Sequence, residues 1–535
     1  MRLQMVLRAA VGVAPLLVSL ASTTACSGKA ASGAPRALGV APAVPITEAA
    51  PAASTRVAPS DAFNVLIVTI DTLRADHLSC YGYPRSTTPR IDEVARSGTL
   101  FTRCLVQWPK TGPSMASMLT STYGSTSGVA RTTLRDRIPL SYDLLSELLQ
   151  RGGWETMGVV SNLSLAPKFQ FDQGFERFVV VENPLTAEHV AADARQLWSA
   201  RDRSRPYFGW IHFLDPHAPY QPPKAFRSTF VDDALFAADE RAPVKVDPRA
   251  IDASAPGATD PDVGQIPAYA YLEGKDRLRD YVAAYDGEIR YLDHQLGLLF
   301  DWLRAEGDLE RTIVVITADH GESLGEHDYF FEHGRFPYDD CQRVPLIIHH
   351  PEWPVRTVDA PVALMDLAPT LLELLGLQPG WQFEGHSLRS WLDAGAPSDA
   401  ARPVFSESGY STAFEVSLHH GRFKLIRIGS KYIAGQLTNR PYELYDIEAD
   451  PGELVDVSAE HPDVFESMRE VLDAYVAAAY AKVPPDSDGS VVPTAEERAA
   501  MDALGYANDE ASGRKIDAAG DGATPPRDRS RGDSR

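Results

Sequence analysis

Asn64-Val-Leu-Ile-Val-Thr-Ile-Asp71 and Thr312-Ile-Val-Val-Ile-Thr-Ala-Asp319-His320-Gly321-Glu322 are the two stretches whose reading decides the fold. Each is a short, β-branched and almost wholly apolar run that breaks off into groups able to ligate a cation. Runs of this kind read as strands buried on both faces, as at the centre of a parallel sheet covered by helices. Ligands in such sheets collect at the carboxyl ends of the strands. Asp71, Asp319 and His320 therefore fall where a divalent metal ion can be held. Any one of them alone could be a helix cap. The mixed oxygen and nitrogen set favours zinc or manganese over calcium, without deciding among the three.

Outward from these runs, helix and strand signals alternate. Pro89-Arg-Ile-Asp-Glu-Val-Ala-Arg96 predicts a short amphipathic helix ended by Gly98, and Leu140 to Gln150 predicts another ended by Gly152-Gly153. Tyr285, Ile289, Leu292, Leu296, Leu299 and Leu303 recur at alternating spacings of four and three, the apolar face of a helix ending at Gly307. Helix followed by buried strand is the unit of a wound α/β sheet. Past Pro403 the pattern changes: Gly421 to Ile428 and Tyr442 to Asp446 read as antiparallel strands, and Asp463 to Ala479 as a packing helix. The expected fold class is α/β: a large mixed, mostly parallel sheet covered by helices on both faces, with a smaller C-terminal α+β subdomain.

Composition narrows the function. A chain of 535 residues, 44% hydrophobic and 9% aromatic, can bury a large core. Its 51 basic and 73 acidic residues give a net charge of -22, which repels a phosphate backbone and excludes nucleic acid as the expected partner. At the N-terminus Arg2 and Arg8 precede the apolar stretch Ala9 to Ala21 and the small residues before Cys26, the order of an export signal. The apolar stretch is shorter than the about 20 residues that span a bilayer. Cys26 stands where a bacterial lipoprotein is cleaved and acylated, although Thr23 replaces the usual Leu. The protein is thus expected outside the bacterial cytoplasm, either lipid-anchored in the cell envelope or secreted, with membrane contact only through Cys26. The domain reading is an export signal at 1–26, a disordered tether at 27–60, a catalytic domain at 61–402, a small subdomain at 403–483 and a mostly disordered tail at 484–535. A helical pattern at Thr494 to Leu504 interrupts the tail, and 225–265 reads as a polar surface insertion. The three cysteines left after export, Cys80, Cys104 and Cys341, read as small buried apolar residues.

Trp108-Pro-Lys-Thr111-Gly-Pro-Ser114-Met-Ala-Ser117 supplies hydroxyls at a turn leading into a helix. A nucleophile at a helix N-terminus gains from the dipole, and the free N–H groups there can bind an anion. By itself, however, such a turn reads first as a helix capped by Ser114 or Thr111.

Several motifs together resemble one family. Asn64 to Gly82 with Thr88 to Arg96, Thr111-Gly-Pro-Ser114, Asp215-Pro-His217-Ala-Pro-Tyr220, Ala318 to Glu322 through Arg343-Val-Pro-Leu346, and Tyr442 to Glu453 match the sulfatase family of the alkaline phosphatase superfamily in order and spacing, over about Asn64 to Tyr480. The resemblance implies that Asp71, Asp319 and His320 are metal ligands and that Thr111 is the nucleophile. It implies that His217 contacts the transferred group, and that His333 binds substrate where many relatives have Lys. Pocket geometry would suit both histidines to stabilising negative charge.

The departures are as informative. Where sulfatases have a second Asp this chain has Thr72. Where they have Cys-x-Pro-Ser-Arg, with the Cys or Ser oxidised to formylglycine, it has Thr111 and Met115. Their Gly-Lys-Trp-His segment is Gly158-Val-Val-Ser-Asn162 here. A Thr cannot become an aldehyde, so Thr111 must act as a simple alkoxide whose ester is released by attack of water or another acceptor. Superfamily members with Thr nucleophiles are phosphodiesterases and phosphoryl-headgroup transferases. The leading expectation is a metal-dependent hydrolase of sulfate or phosphate esters, its partner an anionic ester on a glycan or lipid headgroup. The alternatives are a transferase moving a phosphoryl headgroup onto envelope glycans, and a degenerate binder of acidic glycans.

Overall fold

The computed structural model describes residues 58, 61–482 and 494, apart from 131–135, 182–184, 232–265, 268, 276, 394–401, 409–413, 429–430, 434–435 and 439–440. The expected export signal, most of the tether, nearly all of the tail with its helical pattern, and most of the 225–265 insertion lie outside these residues.

The two decisive runs are strands, β1 at Asn64–Ile70 and, later in the chain, Thr312–Ala318. Between them come β2 (Thr99–Leu105), β3 (Glu155–Val160), β4 (Arg177–Val180) and β5 (Tyr207–Phe213), so that Thr312–Ala318 is β6. A small hairpin follows, β7 (Ser323–Leu324) with β8 (Phe330–Glu332), and then β9 (Arg343–His349), β10 (Arg356–Val358) and β11 (Val362–Ala363). Apart from the hairpin these strands form one nine-stranded sheet in the order β10-β2-β9-β6-β1-β5-β3-β4, with β11 beside β2. Every pairing is parallel except the two made by β9, which makes the sheet mixed and mostly parallel as expected. Every residue of β5 and β6 is buried. Because successive side chains point to opposite faces, both faces must be covered.

Leu278–Ala305 is the long helix whose periodic face was legible in the sequence; it buries Tyr285, Ile289, Leu292, Leu296, Leu299 and Leu303 and leads into β6 past Gly307 at φ +73°. The helix expected over Leu140 to Gln150 begins later, at Leu145. Its N-terminus is set by Glu147, whose Oε2 accepts from the Leu144 N–H at 2.9 Å, while Leu140 is 76% exposed and lies off the apolar face. Cys80, Cys104 and Cys341 are free thiols, the latter two buried. No helix among the described residues is long and apolar enough to cross a membrane.

A four-stranded antiparallel sheet follows, ordered Val404–Ser408, Glu415–His420, Phe423–Arg427 and Tyr442–Asp446, with the helix Pro462–Lys482. The sequence revealed its last two strands and its helix. Lys424, wholly buried, lies 2.6 Å from Asp339 Oδ1 and 2.6 Å from Glu453 Oε1. Asp339 opens the helical turn Asp339–Gln342 that precedes β9, so this ion cluster ties the C-terminal sheet to the turn that enters β9 of the main one. Breaking such a cluster leaves buried carboxylates without their cation. Lys424→Met is therefore expected to lower unfolding stability by about 3–5 kcal/mol, read from the denaturation midpoint in urea; a loss within about 0.5 kcal/mol would mean the cluster does not hold the sheet in place.

Candidate active site

The register of the central strands builds the site. Ile70 of β1 pairs with Phe213 of β5 on one side and Ala318 of β6 on the other, so the next residues, Asp71 and Asp319, lie side by side at the carboxyl edge of the sheet. His212, near the end of β5, is opposite Thr69. Ligand atoms of Asp71, His212 and Asp319 all lie within 4.8 Å of one another, and all three residues are wholly buried. Asp71 Oδ1, Asp319 Oδ2 and His212 Nε2 make no hydrogen bond among the described residues. Buried polar atoms left without partners are costly, and two carboxylates with an imidazole are donors suited to a divalent cation. The residues present therefore fit the cation that the resemblance implies.

His320 faces the same space. Its Nε2 lies 3.7 Å from Asp71 Oδ1, 3.5 Å from Asp319 Oδ2 and 3.3 Å from Thr111 Oγ1. Its Nδ1 lies 2.8 Å from the Gly321 carbonyl, which can only accept, so in the neutral ring the proton sits on Nδ1 and Nε2 offers its lone pair inward. Gly321 is required at this turn: its N–H donates to the Cys341 carbonyl at 2.8 Å, and a Cβ there would lie 2.0 Å from the Asp340 carbonyl oxygen.

Thr111 is the first residue of the helix Thr111–Thr120. The capping alternative is not what is found: the N-cap is Lys110, and among the described residues no side chain caps the helix and the buried Ser114 Oγ makes no hydrogen bond. Thr111 Oγ1 instead lies between His320 Nε2 and Asn162 Nδ2, the latter at 3.4 Å. His333 stacks on His320 with ring centroids 4.1 Å apart, and His217 lies edge-on to His333 at 5.3 Å. The six residues singled out in the sequence thus line one buried space. The Nδ1 of His217 is held by the Ala218 carbonyl at 2.7 Å and that of His333 by Glu322 Oε1 at 3.2 Å.

Three neighbours were missed in the sequence. His212 was the polar residue in the otherwise apolar run Tyr207 to Phe213, a signal that was available. Asn162 was noted only as a departure, yet it follows the carboxyl end of β3, where the strand-end rule would have placed it. Glu322 looked like part of a motif; in the structure it is a fully buried carboxyl beside His333.

Burial raises the Asp71 pKa, but the neighbouring imidazoles of His217, His320 and His212 outweigh it and leave the group at about 2. Asp319 is pushed well above the usual carboxylate range, first by burial and then by the negative charge of Asp71. The pair therefore behaves as one carboxylate beside one carboxylic acid. Burial also lowers His217, His320 and, most strongly, His333, whose neighbour His320 adds to the effect.

A family model described as "Sulfatase" matches residues 63–377, and a second, described as "N-sulphoglucosamine sulphohydrolase, C-terminal", matches 325–477. The chain is 24% identical over 475 residues to N-acetylglucosamine-6-O-sulfatase of Bacteroides thetaiotaomicron, covering 73% of this chain and 82% of that one. Its fold is similar to that of a protein solved in complex with its substrate D-glucosamine-2-N,6-O-disulfate, with a TM-score of 0.64 at 21% identity over 80% of this chain and all of that one. It is similar as well to the phosphonate monoester hydrolase of Agrobacterium radiobacter, with a TM-score of 0.60 at 22% identity over 78% and 96% of the two chains. The first match spans more than half of the sequence, and the chain belongs to the sulfatase family. Its reading as a hydrolase of sulfuric or phosphoric esters agrees with that membership.

The acid proton of Asp319 gives a pH prediction. A cation binding between the two carboxylates must displace that proton, so affinity rises with pH, by up to about tenfold per pH unit for one proton released. Titration calorimetry with zinc or manganese in buffers of different ionisation enthalpy should report net proton release. Binding with no proton release and no pH dependence would show that Asp71 and Asp319 do not hold the ion.

Proposed function

We propose that this member of the sulfatase family is a metal-dependent hydrolase of sulfate or phosphate esters that uses Thr111 as its nucleophile on a sugar-borne anionic ester. The observation that carries the reading is the position of Thr111 Oγ1, at a helix N-terminus and within 3.3 Å of His320 beside the paired carboxylates. Asp71, Asp319 and His320 would hold the cation, zinc, manganese or calcium, with His212 close enough to join them. When bound, the cation supplies positive charge that favours ionisation of a neighbouring hydroxyl and offsets charge on the transferred group.

The chain's own groups do the rest. Helix N–H groups at Thr111 attract the anionic end of the ester. The Thr111 hydroxyl loses its proton to solvent as Oγ bonds to sulfur or phosphorus, and the bond to the departing oxygen breaks in line. His217 and His333 present Nε2 to the transferred group, because Nδ1 is occupied in each ring. Both are neutral by burial, and an arriving anion favours their protonation, after which one of them donates to the departing oxygen. Water then attacks the Thr111 ester, releasing sulfate or phosphate and restoring the hydroxyl.

The names of the similar proteins support a sugar carrying the ester. The pattern of Arg2, Arg8, Ala9 to Ala21 and Cys26 supports action outside the cytoplasm, anchored by lipid at Cys26 or secreted.

A panel of nitrophenyl sulfate, phosphate and phosphodiester substrates with added metal tests the reading. Thr111→Ala should lose at least about a thousandfold in kcat, and mass spectrometry after a substrate pulse should find one sulfuryl or phosphoryl group on the Thr111 peptide. Turnover by Thr111→Ala equal to the wild type rules out the nucleophile. Binding of sulfated sugars with no turnover of any ester would make the protein a glycan binder.

A further inference from the structure

Asn162 stands in the segment where this chain departs from the Lys-Trp-His pattern of its relatives. It is wholly buried, and its amide is held in one orientation. Its Oδ1 accepts from the Ser164 backbone N–H at 3.0 Å and lies 2.7 Å from Ser164 Oγ. A backbone N–H can only donate, so this end of the amide is the oxygen. The NH2 end then faces two acceptors at once, Asp71 Oδ2 at 2.8 Å and Thr111 Oγ1 at 3.4 Å. A carboxylate oxygen can only accept, which fixes the orientation a second time.

We propose that Asn162 is a catalytic residue of the Thr111 reaction, donating one N–H to the nucleophilic oxygen and the other to Asp71. The contact with Oγ is long for a neutral hydroxyl. Catalytic hydrogen bonds are often long before substrate binds, and donors shorten and strengthen as their acceptor gains charge. The amide is already oriented by Ser164, so it needs no reorganisation as the oxygen ionises, the condition under which a donor is most effective. It also accepts no proton, so it leaves the nucleophile ionised. An amide here does neutrally what a cationic side chain would do by charge, in a space already lined by four histidines.

The proposal rests on Thr111 being the nucleophile. The rival role is purely supportive: Asn162 holds Asp71 and acts only through metal affinity. Asn162→Asp keeps the shape and removes the donors, and Asn162→Ala removes the group. With metal at saturation, both should lower kcat by about 10²–10³-fold and change KM much less. Both should slow formation of the Thr111 ester by the same factor in quenched single turnovers read by mass spectrometry. Ser164→Ala, which frees the amide to rotate, should cost less, on the order of tenfold.

Several outcomes overturn it. Ester formation at the wild-type rate in Asn162→Asp, or a loss in either variant that added metal fully restores, leaves Asn162 a mere support of Asp71. If Asn162→Ala does not fold, as judged by circular dichroism, Asn162→Asp and Ser164→Ala carry the test. Absence of any Thr111 ester in the wild-type protein removes the nucleophile and this proposal together, whereas ester formation that ignores Asn162 removes this proposal alone.

Discussion

Two carboxylates, Asp71 and Asp319, are buried side by side, and their mutual repulsion is the constraint on which the rest of the site depends. They cannot move apart, because each ends a strand and β1 and β6 pair in register along their whole length. Placing two such charges out of water costs several kcal/mol per ion. The chain offsets part of this by giving one oxygen of each a donor. Asn162 serves Asp71 Oδ2, while the N–H groups of Thr72 and His320 serve Asp319 Oδ1 at 3.1 and 2.7 Å. Among the described residues, Asp71 Oδ1 and Asp319 Oδ2 are left without hydrogen bonds. One oxygen bonded by the protein and one left over, on both members of the pair, is the arrangement that a cation completes.

Holding that arrangement requires backbone that would not form by itself. Thr72 sits at φ +55°, a region that costs a β-branched residue about 1–2 kcal/mol. It is kept there by its N–H on Asp319 and by Tyr285, whose hydroxyl donates to the Thr72 carbonyl at 2.7 Å and accepts from the Arg74 N–H at 3.0 Å. Tyr285 belongs to the apolar face of the long helix, so the packing that builds the core also fixes the turn after Asp71. On the other side Gly321 lies against the Asp339–Gln342 turn, which the Lys424 cluster pins to the C-terminal sheet. The two sheets are therefore coupled through the loop that carries His320.

This division explains what could be read in the sequence. Strand and helix identity was legible because it follows from periodicity, which burial enforces on every residue of an element: β1, β6 and the Leu278–Ala305 helix all stood where the pattern placed them. The placement of Asp71, Asp319 and His320 at the strand ends was legible for the same reason. His212 and Asn162 were not singled out, because their roles come from register between strands distant in the chain, Thr69 against His212 and β3 against β5. The late start of the Leu145 helix was hidden likewise, since a side chain reaching back to Leu144 decided it over the apolar pattern. Thr111 could not be separated from a cap until the structure showed its hydroxyl turned toward His320.

The departures from the family pattern are consistent with one another. Met115, at the position where the family pattern expects Arg, is fully buried in the main core, so no cation follows Thr111 on its helix. A lysine instead precedes it: Lys110 is only 8% exposed, and its field helps to lower His217, His320 and His333, whose pKa values burial depresses first. A site whose histidines are neutral at rest gains positive charge only when an anion enters and raises their proton affinity. In the proposed reaction, substrate binding and proton uptake are then one event, and the ester would bring with it the condition for protonating its own leaving group. A permanently charged Arg beside Thr111 would stabilise the bound anion as much before the reaction as during it, and uniform binding of that kind does not accelerate the chemical step. In the proposed reaction, histidines that charge on binding, with an amide on the Thr111 oxygen, would place more of the stabilisation where charge develops.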